Sequence, residues 1–87
     1  RGSNMKILYF SWLKEKVGKT SEEIEKPNEV HRIKDLIEFL KNSSAKYQNA
    51  FKHPKSIKVA VNKEFADFET LINEKDEIAF FPPVTGG

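Results

Sequence analysis

Hydrophobic and polar residues are patterned along most of this chain, with two periods. Lys6 to Leu13 (Lys-Ile-Leu-Tyr-Phe-Ser-Trp-Leu) is dense in aromatic and branched residues and reads as a strand. Lys14 to Lys19 is polar and ends on Gly18-Lys19, so it reads as a turn. Thr20 to Lys26 is a polar strand with Ile24 as its one large apolar residue, close enough to the first strand to form a hairpin. Period switches after Pro27-Asn28. Ile33, Leu36, Ile37 and Leu40 fall at i, i+3, i+4 and i+7, one apolar stripe of a helix, with Asp35, Glu38 and Lys41 facing away. Asn28 is a candidate early cap, and Asn42-Ser43-Ser44 stops the helix. Ala45 to Phe51 forms a further short helical turn.

Period two returns at Ile57, Val59 and Val61, which alternate with Lys58, Ala60 and Asn62. Asn62-Lys63-Glu64 turns the chain so that Phe65-Ala66 pairs back, and Asn73-Glu74-Lys75-Asp76 is a second turn. Glu77 to Phe81 is the last strand, which Pro82 ends because proline cannot donate to a ladder. The expected class is α+β: a sheet with one main helix across one face.

That architecture makes the two sheet faces unequal. Alternation assigns Ile7, Tyr9, Val59, Val61, Ile78 and Phe80 to the helix side. Leu8, Phe10, Ala60, Phe65, Ala79 and Phe81 are left on the open side, an apolar surface that calls for a covering. Two coverings are open: a docking partner, or the chain's own segment from Phe65 to Ile72 or its tail. Trp12 fits either core or rim.

Composition narrows the chemistry. The 87 residues carry 38% hydrophobic and 32% charged residues, an ordinary balance for one small domain with little room for an enclosed active site. A net charge of +2, one unit of it from Arg1, does not mark nucleic acid or membrane as principal partner. No cysteine is present, which removes disulfides and thiol chemistry. His31 and His53 lack further ligands at metal spacing. Gly18-Lys19-Thr20 resembles the end of a phosphate loop, but Leu13 stands where the first glycine belongs. Lys52, Lys55 and Lys58 with Phe51 form a small basic cluster that reads as a solvated loop, with nucleic-acid binding as the alternative. Arg1 to Asn4 reads as an expression scar before Met5, residues 5–81 as the domain, and residues 82–87 as a tail; with no apolar span or leader, the expected location is the cytosol.

The tail carries the candidate chemistry. Phe80-Phe81-Pro82-Pro83-Val84-Thr85 runs into Gly86-Gly87. Two glycines place a main-chain carboxylate on a slim end with no Cβ to block a tight slot. The carboxylate is an anion at neutral pH. It can attack the α-phosphate of ATP when another protein supplies the active site. Pro82 and Pro83 disfavour helix and send the tail out extended, and five residues reach at most ~17 Å.

These residues resemble the small subunit of molybdopterin synthase, a ubiquitin-like sulfur carrier. The resemblance rests on Lys6-Ile7-Leu8-Tyr9-Phe10, Leu13-Lys14-Glu15 with Gly18, Val59-Ala60-Val61-Asn62, Asp76-Glu77-Ile78-Ala79-Phe80-Phe81, and above all on Phe80 to Gly87. It implies a β-grasp fold with a mixed sheet. It implies that Gly87 is adenylated by a ubiquitin-activating-enzyme-like adenylyltransferase using ATP, and then thiocarboxylated. It further implies that sulfur passes to cyclic pyranopterin monophosphate inside the large synthase subunit. Gly86 keeps the end slim, Phe10, Phe65 and Phe81 dock on the large subunit, and Pro82, Pro83, Val84 and Thr85 line the insertion path. The carrier itself binds no cofactor or metal and has no activity alone. Lys14 departs from the arginine common there, the helix entry at Glu29 to Arg32 lacks a Ser/Thr cap, and Asn42 to Lys55 matches loosely. A thiamine-type sulfur carrier, a ubiquitin-like protein modifier and an inert interaction module remain alternatives; Phe80-Phe81-Pro82-Pro83 favours the molybdopterin side.

Overall fold

A computed structural model describes residues 4–83. The chain runs β1 (Asn4–Tyr9), α1 (Trp12–Val17), β2 (Ser21–Glu25), α2 (Ile33–Lys41), α3 (Ala45–Ala50), a 3₁₀ turn at Pro54–Ser56, β3 (Lys58–Val61), β4 (Glu64–Ala66) and β5 (Glu77–Phe81). The five strands form one mixed sheet in the order β2-β1-β5-β3-β4. The first and last strands lie side by side and parallel at its centre, with Ile7 opposite Ile78 and Tyr9 opposite Phe80. The other pairings are antiparallel. A central parallel pair flanked by antiparallel strands, with helices on one face, is the β-grasp arrangement.

The first expected strand is too long, and the turn after it is a helix. β1 stops at Tyr9, and Trp12 and Leu13 begin α1 rather than extending the strand. Leu13 and Val17, four apart, drop into the core while Lys14, Glu15 and Lys16 stay outside. Gly18 ends the helix in the left-handed region at φ 88°, donating its N–H to the Lys14 carbonyl at 2.8 Å. β1 and β2 therefore pair as expected, but a helix joins them in place of a tight turn.

The stripe of α2 is where the spacing puts it: Ile33, Leu36, Ile37 and Leu40 are all buried. Its cap is not Asn28. The Asp35 carboxylate folds back to accept the N–H groups of His31 at 3.0 Å and Arg32 at 2.9 Å. Those hydrogen bonds hold the Asp35 carboxyl below the usual carboxylate range. α1 and α3 join α2 on the same side of the sheet, so three helices rather than one cover that face.

The core lies between them. Tyr9, Phe51 and Phe80 are its largest side chains, with Phe51 edge-on to Phe80 at 4.9 Å and Tyr9 stacked on Phe80 at 6.3 Å. Ile7, Tyr9, Val59, Ile78 and Phe80 are buried as alternation assigns them; Val61, near the end of its strand, is only half-buried. The hairpin at Asn62-Lys63 takes φ values of 52° and 71°, the paired left-handed conformation that a two-residue loop demands.

Candidate functional site

The open face of the sheet is built by register. Leu8 lies opposite Ala79, Ala79 opposite Ala60, and Ala60 opposite Phe65, so one row crosses β1, β5, β3 and β4. Two alanines in the middle leave a shallow floor between Leu8 and the Phe65 ring. The neighbouring row holds Phe81 opposite Lys58, and Phe10 continues from β1 with its N–H on the Phe80 carbonyl at 3.1 Å. Phe65 is 85% exposed and Phe10 47% exposed. The Phe65 and Phe81 rings lean together at 6.0 Å and 48°.

The segment after Phe65 does not fold back over this face. It is tied to the start of α2 instead: the N–H groups of Ile33 and Lys34 donate to the Thr70 and Phe68 carbonyls, and that of Ile72 donates to His31. Arg32 Nη1 reaches the Glu69 carbonyl at 2.8 Å, and Ile72 is buried. Of the coverings open from sequence, the loop is thus ruled out, and the tail beyond Pro83 lies outside the described residues. Such a surface with an 85% exposed phenylalanine is the form of a docking patch.

Strand β5 runs off this face into half-buried Pro82 and exposed Pro83. Phe10, Phe65, Phe81, Pro82 and Pro83 thus gather at one side of the molecule. Val84, Thr85, Gly86 and Gly87 lie outside the described residues.

One polar cluster escaped the sequence reading. On the helix side, the Tyr9 and Tyr47 hydroxyls both donate to Glu22 Oε2 at 2.7 Å, and Lys19 Nζ donates to Oε1 at 3.2 Å. Burial pushes the Glu22 carboxyl up, but the hydrogen bonds from Tyr47, Tyr9 and Lys19 outweigh it and hold it below its ordinary value. Burial first, and then Glu22, push both tyrosine hydroxyls upward, Tyr9 far out of its usual range. A carboxylate with three donors is a latch rather than a base: it fastens edge strand β2 to β1 and α3. The available signal was a tyrosine on the core side of a strand, whose hydroxyl needs an acceptor.

Trp12 is half-buried at the core margin. Phe51 is fully in the core and does not join the lysines near it. Among the described residues no three His, Cys, Asp or Glu side chains are grouped to hold a metal ion. Nor is any described helix long and apolar enough to cross a membrane.

The fold defines a ubiquitin-like β-grasp protein, here with an exposed aromatic face on its sheet. Comparisons with known proteins take this further. The ThiS family matches residues 7–87. The molybdopterin synthase sulfur carrier subunit of Escherichia coli K12 is 31% identical over 83 residues, covering 95% of this chain and 99% of its own. The subunit of that name from Dictyostelium discoideum is 36% identical over 87 residues, 98% of each chain. Among solved structures, a putative molybdopterin converting factor subunit 1 from Pyrococcus furiosus superposes with a TM-score of 0.74 at 29% identity, covering 93% of this chain and 98% of its own. Subunits 1 and 2 of the molybdopterin-converting factor of Helicobacter pylori form a complex whose matching chain shares the fold (TM-score 0.63, 20% identity, 97% and 99% coverage). The chain belongs to the ThiS family, among relatives of the molybdopterin synthase sulfur carrier subunits.

Proposed function

We propose that this chain is the sulfur-carrier small subunit of molybdopterin synthase, with Gly87 as the group that carries sulfur. The observation that carries the reading is the junction of two features: a Phe10/Phe65/Phe81 face that no described segment covers, and a last strand that leaves that face through Pro82-Pro83, followed in sequence by Val84 to Gly87. The face docks on a larger partner subunit while the tail enters that partner's pocket. The H. pylori complex of subunits 1 and 2 supports such a pairing.

The chemistry needs no acid, base or metal from this chain. A Gly87 carboxylate oxygen attacks the α-phosphorus of ATP in an adenylyltransferase, and pyrophosphate leaves. A sulfur nucleophile then displaces AMP from the acyl carbon, leaving a terminal thiocarboxylate. In the large subunit that sulfur is transferred to cyclic pyranopterin monophosphate. Val84 and Thr85 line the channel, and Gly86 lets the end pass a narrow slot. Proline restraint reduces the ordering entropy of docking by about 1 kcal/mol per residue already fixed. The working compartment on this reading is the cytoplasm, where ATP is at hand.

The direct test is mass spectrometry of the intact chain after incubation with ATP, its adenylyltransferase and a sulfur donor. A gain of about 16 Da, oxygen replaced by sulfur, is expected. Deletion of Gly87 abolishes the gain without moving thermal unfolding. An unchanged mass under conditions that load an established carrier overturns the proposal, and higher-mass conjugates would identify a protein modifier instead.

A further inference from the structure

Charge is unevenly distributed along this chain. From Phe39 to Lys63 there is no Asp or Glu, while Lys41, Lys46, Lys52, Lys55, Lys58, Lys63 and His53 all fall there. From Glu64 to Glu77 the balance inverts: Glu64, Asp67, Glu69, Glu74, Asp76 and Glu77 stand against Lys75 alone. The fold turns this into a polarity along the central strands. β5 begins among Asp76 and Glu77 and ends at Phe81, where Lys58 is its register partner. The acid-free stretch therefore places Lys58 at the end of the sheet where Pro82 leaves it, while Lys63, in the β3–β4 turn, lies at the acidic end.

α1 contributes to the same end. Trp12 and Lys16 face Asn49, Lys52, His53 and Ser56 across a cleft of about 320 Å³. Lys55 and Lys58 border a second cleft, whose one acidic residue is Asp67. The ion pairs among the described residues are Lys19–Glu22, Lys34–Glu69 and Lys41–Glu38, so Lys16, Lys52, Lys55 and Lys58 have none. Lys16 and Lys52 share the Trp12 cleft, Lys55 follows one turn of chain later and Lys58 stands opposite Phe81, so four cations without an ion pair among the described residues, with Asp67 as the one acid lining their clefts, give this end of the molecule a positive sign.

We propose that this basic shoulder, Trp12 with Lys16, Lys52, Lys55 and Lys58, binds an acidic segment of the protein that receives the tail. The identity of that protein rests on the reading above; the chemistry of the shoulder does not. Carboxylates spaced along a peptide suit separate lysine point charges, and Trp12 gives their methylene stems an apolar wall. A nucleic-acid strand suits the surface less well. It needs successive stacking platforms, and Phe51, the second aromatic of the neighbourhood, is buried. The shoulder steers the approach, and the aromatic face then holds the complex, so charge acts on association and Phe65 on dissociation.

Trp12 is the chain's single tryptophan and reports on the cleft directly. The experiment is a fluorescence titration of the full chain with a short peptide alternating Asp and Glu with Gly, its Asn/Gln counterpart, and oligothymidylate. The acidic peptide is expected to shift Trp12 emission saturably, several-fold more weakly at about physiological ionic strength than at low salt. The neutral peptide is expected to give no shift. Lys16→Glu with Lys52→Glu should weaken the acidic peptide at least about tenfold, whereas Lys75→Glu, a single reversal at the far end of β5, should cost less than about twofold. Both lysines are exposed, and thermal unfolding of the variants checks that the fold is kept. The proposal is overturned by a silent Trp12, by a response indifferent to the double reversal, or by oligothymidylate binding more tightly than the peptide. Since sulfur loading is read separately by mass, either proposal can fail while the other stands.

Discussion

Phe65 and Phe80 lie on the same sheet and have opposite consequences when truncated. A buried phenylalanine removes about 150–250 Å² from water. Phe65 is 85% exposed, so about 170 Å² of a side chain in mid-range is still available to a partner. At ~25 cal/mol per Å² that is about 4 kcal/mol of docking, and ordering and imperfect pairing reduce it to about 2–3 kcal/mol. Phe65→Ala should therefore weaken binding to the large subunit about 30- to 150-fold. Inside the folded chain Phe65 has one aromatic contact, the half-exposed Phe81 ring at 6.0 Å, so unfolding should change by less than about 1 kcal/mol. Phe80 is wholly buried against Phe51 and Tyr9. Phe80→Ala should cost about 3–5 kcal/mol of stability. Isothermal titration gives the affinities and urea unfolding the stabilities. A Phe65→Ala variant that unfolds as early as Phe80→Ala, or that binds within twofold of the parent, refutes the division of the sheet into a structural and a docking face.

The remaining predictions concern the frame that holds that face. Glu22→Ala strands two tyrosine hydroxyls, and after allowance for the carboxylate's partial exposure it should cost about 2 kcal/mol in urea unfolding; a loss below about 0.5 kcal/mol would mean that water replaces the latch. Because the Glu22 carboxyl is held below its unfolded value, its contribution is complete above about pH 4.3 and lost as pH falls through the folded value. The stability gap between parent and Glu22→Gln should accordingly shrink on acidification, and a gap that stays constant would sever the link to ionisation. Ser11 sits at φ 56°, ψ −133° with no capping hydrogen bond from its side chain; Ser11→Gly should raise stability by up to about 1 kcal/mol, and a loss would show that the turn is not strained.

The element order and the two faces were legible because period and alternation assign elements and sides without knowing what lies on them, whereas the β-grasp topology followed from the resemblance. Leu8, Phe10, Phe65 and Phe81 could be set apart from Ile7, Tyr9 and Phe80 from parity alone. Parity failed at Trp12-Leu13, where a run of apolar residues continues past the true end of the strand. The contrary signal there is short: Leu13 and Val17 four apart, with Gly18 next. A six-residue helix gives period 3.6 too few turns to compete with an aromatic run. The cap of α2 was misplaced because a Ser or Thr was sought ahead of the helix, whereas Asp35 supplies the acceptor from within the first turn. The Tyr9–Glu22–Tyr47 latch joins residues 13 and 25 positions apart, and spacing carries no information about such pairs before the topology is known.

The same parity separates what this domain needs to fold from what it needs to act. Its core side chains lie on the helix side of the sheet, and the features assigned to partners lie on the open face or at the basic end. Substitution at Phe10, Phe65, Phe81, Lys16 or Lys52 removes little that the folded chain uses, because each is at least partly open to solvent. The proposed carrier, with two successive partners to fit, would be served by this arrangement, since either surface can be altered without unfolding the scaffold. The expected signature is a lack of correlation: across such variants, sulfur loading and large-subunit affinity should vary while the unfolding midpoint stays within a few degrees. A set of variants in which affinity tracks the midpoint would place the docking face back inside the core's cooperative unit, and the assignment of its exposed phenylalanines to a partner would fall with it.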